Sequence, residues 1–192
     1  GHLDVATMRD IAAYGESGGR LLYASEDHLN FRGQTPYLRN RYFRQDIPGV
    51  AAYTQDIGAD SVQGVAGTRF AGIGPCALRP SGSSGNDFYM DQVQPSVRSE
   101  GILRVGAAPG AARQLVANRY VSGTMKSIFL AFDASKLPDA CAARVLDASL
   151  DWFSPVTESR LDVERTSYGS GDTVRLTARV LNNGPRDLDA VT

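Results

Sequence analysis

Lysine, histidine and cysteine are scarce in this chain of 192 residues, and it contains no long apolar run. Each shortage excludes something. No window approaches the ~20 apolar residues of a membrane span. No charged n-region followed by an apolar stretch marks a signal peptide. The chain reads as trimmed at both ends, with Gly1-His2 as either a tag scar or native residues left after a cut. Only His2 and His28 are histidines, so no imidazole follows position 28 to serve as a base late in the chain. Only Cys76 and Cys141 are cysteines, with no Cys-x-x-Cys or Cys/His zinc spacing. Of 20 basic residues, Lys126 and Lys136 alone are lysine and the rest are arginine, scattered along the sequence rather than clustered. Sixteen of the 21 acids are aspartate, and the two biases together read as codon usage in a GC-rich genome. The net charge of −1 offers no electrostatic reason for a nucleic acid or anionic lipid partner.

What is present suits a globular chain. Hydrophobic residues make up 42% and charged residues 21%, which argues against a disordered tail, a collagen or a coiled coil. Residues 4–16 are amphipathic, with Asp4 as N-cap and Val5, Met8, Ile11 and Ala12 on one face. Ser17-Gly18-Gly19 stops that helix, and Arg20-Leu21-Leu22-Tyr23-Ala24 follows as a short apolar strand, expected to be central and parallel. Thr35-Pro36 caps a second helix to Phe43. From 45 to 100 the chain is rich in Gly, Pro, Ser and Asp, with Ser61 to Val65 as a short strand and an exposed loop over 80–87. So long an irregular region is uncommon unless it is functional or pinned covalently. Ile102 to Val105 is a candidate strand. Gln114 to Val121 and Met125 to Phe132 form a strand pair around Ser122-Gly123-Thr124, and the run from Ser127 to Phe132 is the expected core strand. Pro138 opens a helix to Phe153 with Cys141, Val145, Leu146 and Phe153 inward.

After Pro155 the texture changes. Leu161 and Val163 alternate with polar residues, residues 168–172 turn the chain, and Val174, Leu176, Ala178 and Val180 alternate again. Asn182-Asn183-Gly184-Pro185 is the next turn. A complete sandwich module needs ~100 residues, more than the segment from 155 to 192 holds.

Two readings of the cysteines stand: a disulfide, or two buried thiols. The even count and the loop-rich, Gly/Ser-rich chain favour the bond. It would close a loop of about 65 residues and stabilise by ~3–4 kcal/mol in the chain-entropy treatment.

Ile11-Ala12-Ala13-Tyr14 followed by Ser17 to Asp27 resembles the central helix and strand of glutamine-amidotransferase-like domains, in the variant found in large secreted bacterial proteins beside peptidase domains. The Met125 to Phe132 strand and the helix closing at Trp152-Phe153 resemble the same variant. Residues 161–184, with Gly171-Asp172-Thr173-Val174 and Asn182-Asn183-Gly184, resemble the start of an immunoglobulin-like module. The resemblance implies an α/β fold. Residues 1–154 would be the C-terminal part of an amidotransferase-like domain with a partial flavodoxin-like sheet and flanking helices. Residues 155–192 would begin an Ig-like β-sandwich. It also implies an extracellular or periplasmic location.

The chemistry of that family is poorly matched. The nucleophile position after Ala24 falls at Ser25, where the strained elbow wants small neighbours, and Tyr23 and Asp27 occupy the flanks. A Ser or Cys nucleophile needs a base within hydrogen-bond reach; His28 is three residues from Ser25, and it could serve Cys76 only if two distant loops met, the bland alternative for Cys76 being a disulfide or a small buried side chain. For Ser25, Glu26 and Asp27 the bland alternative is a capped, solvated strand end; Glu26 and Asp27 are the candidate ligand-binding pair. Glu26, Asp27, Asp56, Asp60, Asp87 and Asp91 all fall on loops, and calcium is the cation such oxygens would suit, without an EF-hand spacing to support it. Glycosidase acid/base work needs two of them suitably spaced. No Gly-rich phosphate loop exists between Gly101 and Gly110. Tyr37, Tyr42, Phe43, Tyr53, Phe88 and Tyr89 either form a sugar platform or anchor loops to the core.

The sequence therefore leads to a non-catalytic structural or interaction module of a larger secreted bacterial protein, an accessory region of an extracellular protease. Its partners are neighbouring domains of the same polypeptide or a companion chain, with no cofactor. Two alternatives remain: part of a hydrolase completed by preceding sequence or another chain, and a carbohydrate-binding module.

Overall fold

The computed structural model describes residues 5–26, 29, 47–79, 90–106, 114–154, 156–163, 169–171, 173 and 176–182. The expected helix over 35–43, the loop over 80–87 and the turn at 183–185 lie outside them. The chain divides into two compact units, Gly1–Ser149 and Leu150–Thr192.

The first unit opens with helix α1 (Val5–Glu16). Its end is closed by backbone geometry: Gly18 takes φ 93°, its N–H donates to Gly15 O at 2.9 Å, and the Gly19 N–H donates to Tyr14 O at 2.9 Å. This pair of bonds satisfies carbonyls that the helix itself leaves open. A Cβ on Gly19 would sit 2.4 Å from the Tyr14 ring, so the second glycine is needed for close approach.

Strand β1 (Arg20–Ala24) follows directly. It lies at the end of the described six-stranded sheet, not at its centre as expected. With β3 (Ser61–Gly64), β4 (Cys76–Ala77), β6 (Ser99–Val105), β7 (Leu115–Ser122) and β8 (Met125–Leu130), the order is β1-β8-β7-β6-β3-β4. Only β1 and β8 run parallel; every other pairing in this sheet is antiparallel. The reason lies at Gly123, whose φ of 57° allows a tight turn between β7 and β8. A turn that short can join only antiparallel neighbours, so β7 takes one flank of β8 and leaves β1 the other. Leu22 is 38% exposed as a consequence of the edge position.

All six residues of β8 are buried, as expected of the most apolar run. Register and pleat divide the sheet into two faces. Tyr23 and Phe129 lie side by side on one face, their ring centroids 4.9 Å apart. Over this face lies a ribbon of β2 (Val50–Thr54) and β5 (Gln92–Pro95), in one cluster with Leu29, Val50, Val93, Phe129 and Ala131. Buried Asn118 donates to Pro48 O at 2.5 Å, and Ser99 Oγ donates to Gly49 O at 2.6 Å, which ties the ribbon's entry to the sheet. The other face carries Arg20, Leu22, Lys126 and Ile128.

Helix α2 (Asp139–Phe153) begins just after Pro138, with Asp139 in its first turn where the helix dipole favours an acid. Val145, Ser149 and Trp152 form its buried stripe. Leu146, expected inward, is 47% exposed because it stands one residue, about 100° of helical rotation, off that stripe. The Cys76–Cys141 disulfide joins α2 to β4. The bond anticipated from the even cysteine count is thus present, and it pins the irregular region where Cys76 lies.

In the second unit, β9 (Val156–Val163) and β10 (Leu176–Asn182) pair antiparallel, with Ala178 opposite Leu161 and an irregularity between Leu181 and Asn182. Gly171 takes φ 93° in the turn that precedes β10.

Candidate functional site

The carboxyl ends of the parallel pair β1–β8 gather most of the polar candidates. Ser25 follows β1 directly, and its N–H donates to Leu130 O at 3.1 Å, which carries the bonding to β8 one residue further. The strained elbow of a nucleophile is missing there. Among the described residues, Asp56 is the only non-glycine with positive φ, at 52°. His28 and Asp27 lie outside the described residues.

Glu26 makes the contact that defines this end of the sheet. Its Oε1 accepts from Lys136 Nζ in an ion pair, with the lysine side chain 5% exposed and the carboxylate 24%. The lysine is placed by a short 3-10 turn, Ala134–Lys136, capped by Asp133, whose Oδ1 accepts from Ser135 N at 2.9 Å. Lys136 O accepts from Arg79 N at 2.7 Å, which holds the same turn from outside. Arg79 and Asp139 pair at 3.1 Å but are well exposed, and such a pair adds little.

Asp91 approaches from the β5 side. Its N–H donates to Ala131 O at 2.9 Å, its Oδ1 accepts from Asp56 N at 3.4 Å, and it is 1% exposed. Asp91, one of the six carboxylates that the sequence places on loops, is thus buried rather than solvated. The chain crosses over the end of β8 there, and the backbone bond to Ala131 draws Asp91 inside. Tyr23, one pleat back, is partly buried against the same cluster with its hydroxyl covered, and burial pushes its phenol well above the ordinary value.

The candidates are therefore brought together differently from any catalytic expectation. Glu26 meets Lys136, a residue that sequence reasoning noted only as one of two lysines. Cys76 is bonded to Cys141, so in this oxidised form it has no thiolate to offer. Tyr53, one of the six aromatics of the expected sugar platform, packs against the core cluster of Val50 and Val93. The other five aromatics of that set lie outside the described residues. Among the described residues no group of three or more His, Cys, Asp or Glu side chains could hold a metal ion. No described helix is long and apolar enough to cross a membrane.

A local signal for Lys136 did exist in Asp133-Ala134-Ser135-Lys136, where an aspartate two residues before a serine N–H announces a capped turn. Nothing local pointed to Glu26 as its partner.

No protein-family model matches the chain, and no curated protein matches it in sequence. Solved structures do. The β-galactosidase from Rahnella sp. R3 aligns with a TM-score of 0.51 and 14% identity over 76% of this chain and 20% of its own. The β-galactosidase from Bacillus circulans sp. alkalophilus aligns with a TM-score of 0.52 and 10% identity over 84% of this chain and 23% of its own. The mmIFT52 N-terminal domain aligns with a TM-score of 0.43 and 16% identity over 79% of this chain and 72% of its own. The chain thus spans about a fifth of the length of the two β-galactosidases, and its fold resembles a part of each of those longer chains.

Proposed function

We propose that this chain is a non-catalytic structural or interaction module within a larger secreted bacterial protein. In this reading the first unit is the C-terminal part of an amidotransferase-like, flavodoxin-like α/β domain, and the second begins an Ig-like module. The observation that carries the proposal is the state of the strand ends where such a domain would keep its nucleophile. There Glu26 is engaged by Lys136, and Ser25 has no positive φ and donates its N–H to Leu130 O beside the end of β1. A group locked in an ion pair holds elements together; it is not poised to accept a substrate proton. The disulfide supports the secreted location, since such bonds persist in oxidising compartments. The helix-glycine-strand passage from α1 to β1, with β1 parallel to β8, supports the amidotransferase-like reading.

The likeness to a fifth of two β-galactosidases favours a second reading, in which the parent is a hydrolase acting on carbohydrate and this chain supports a site completed elsewhere. The test compares the chain alone with its Ser25→Ala and Glu26→Gln variants on nitrophenyl glycosides, nitrophenyl esters and a casein substrate. The expected result is no turnover by any of the three. Turnover lost in Ser25→Ala would overturn the non-catalytic reading.

A further inference from the structure

The Cys76–Cys141 disulfide and the Glu26–Lys136 ion pair belong to one continuous assembly. Two short segments carry it, 76–79 and 133–141, and three ties join them. The disulfide links Cys76 to Cys141. The Arg79 N–H donates to Lys136 O at 2.7 Å. Arg79 Nη2 donates to Asp139 Oδ1 at 3.1 Å. Lys136 then carries the assembly onward, because its Nζ donates to Glu26 at the carboxyl end of β1. Only Leu137 to Ala140 separate Lys136 from Cys141 along the chain.

The covalent tie dominates the other two. The Arg79 and Asp139 side chains are 53% and 94% exposed, and an exposed pair adds little. A single backbone bond adds modestly once water can replace it. Segment 76–79 has slight anchorage of its own. Strand β4 brings two residues to the ladder, Cys76 opposite Val62 and Ala77 opposite Ser61, and it ends the described sheet. The Leu78 N–H adds one bond, to Asp60 O at 2.7 Å. Helix α2 is packed through Val145 and Ser149, both beyond its first turn. That packing keeps the body of the helix in place without the disulfide. The first turn of α2 and the 3-10 turn before it lose their covalent attachment.

An ion pair of buried groups is the contact such a loss disturbs first, since it repays desolvation only while its geometry is good. Lys136 is 5% exposed, so its ammonium gains water as soon as the turn moves outward. Of the two sulfur-bearing residues, Cys141 is the accessible one: it is half-buried, whereas Cys76 is 2% exposed.

We propose that these groups form a redox-sensitive clamp, in which the thiol–disulfide state of Cys76 and Cys141 decides whether Lys136 stays closed over Glu26. The reductant is a dithiol. Its thiolate attacks the Cys141 sulfur, the S–S bond breaks, and Cys76 leaves as a thiolate that takes up a proton. The second thiol of the reductant then displaces Cys141, which takes up a proton in turn, and the reductant ends as a disulfide. The clamp does not depend on whether the residues at the strand ends are catalytic.

The sequence supplies an internal control, because Lys126 and Lys136 are its only lysines. Both are buried, but Lys126 stands beside Arg20 at the amino end of β1, away from Glu26. The experiment is trace acetylation of the 192-residue chain with acetic anhydride, read at each lysine by peptide mass spectrometry. It compares the oxidised chain, the chain reduced with dithiothreitol and then freed of it under argon, and the double variant Cys76→Ala/Cys141→Ala. In both bond-free forms Lys136 should be acetylated about fivefold faster or more, with Lys126 unchanged. Reoxidation of the reduced chain should return Lys136 to its original rate. Lys136 labelling that stays constant on reduction would overturn the proposal. So would labelling that rises in step at both lysines, because the bond would then hold the whole unit together rather than one turn of it.

Discussion

Glu26 and Lys136, 110 residues apart in sequence, are joined by an ion pair that closes the carboxyl end of β1 over the turn following β8. The two partners are unequally buried, and this makes their substitutions unequal. Glu26→Gln takes the carboxylate away from an almost fully hidden ammonium, which costs about 2 kcal/mol. Lys136→Met leaves a carboxylate that water already reaches and should cost about 1 kcal/mol. Urea unfolding of both variants and the double variant measures the coupling. A double variant as unstable as the sum of the singles would mean that the pair contributes no interaction energy of its own.

The disulfide is the second large contributor. Cys76 and Cys141 are separated by 65 residues. Closing so long a loop removes conformational freedom from the unfolded chain, by about 4 kcal/mol on the chain-entropy account. Replacing both cysteines by alanine, or reducing the bond, should lower the unfolding free energy by that order in a urea titration. A loss below about 1 kcal/mol would show that the 45–100 region is held by its packing alone.

Tyr23 is expected to contribute to the alkaline limit of stability. Its phenol is raised in the folded chain by burial, whereas the unfolded chain titrates near the ordinary value of about 10. Above that value the unfolded state has lost a proton that the folded state keeps. Stability is fully present below the ordinary phenol value and falls as pH rises beyond it. Lys126 acts with the opposite sign: its folded value is depressed, so its burial becomes less costly as pH climbs toward the ordinary lysine value. In Tyr23→Phe the alkaline fall should therefore flatten, with neutral stability changed by less than about 1 kcal/mol. Circular-dichroism melts from pH 8 to 11 would read this. An unchanged alkaline slope in Tyr23→Phe would assign the loss to other tyrosines.

Much of the local structure was legible without coordinates. The helix over 4–16, its glycine stop, the 114–132 hairpin, the core strand and the helix after Pro138 all follow from periodicity and turn chemistry. These depend on neighbours a few residues away, and the structure places them within a residue or two of the expected bounds. The disulfide was legible in a weaker sense, from parity and loop content.

What the amino-acid order determined by itself was this set of elements. Tertiary structure alone decided which residues meet. A run of apolar residues such as Arg20 to Ala24 reads the same at the centre of a sheet or at its end, and only the claim of β7 on one flank of β8 assigned β1 to the edge. Glu26 could not be matched to Lys136, nor Arg20 to Lys126 and Arg119, because charge carries no label of its partner across a hundred residues. Pairing is set by the register of β1, β7 and β8, and register is fixed by the packed faces of the sheet rather than by any short stretch of chain.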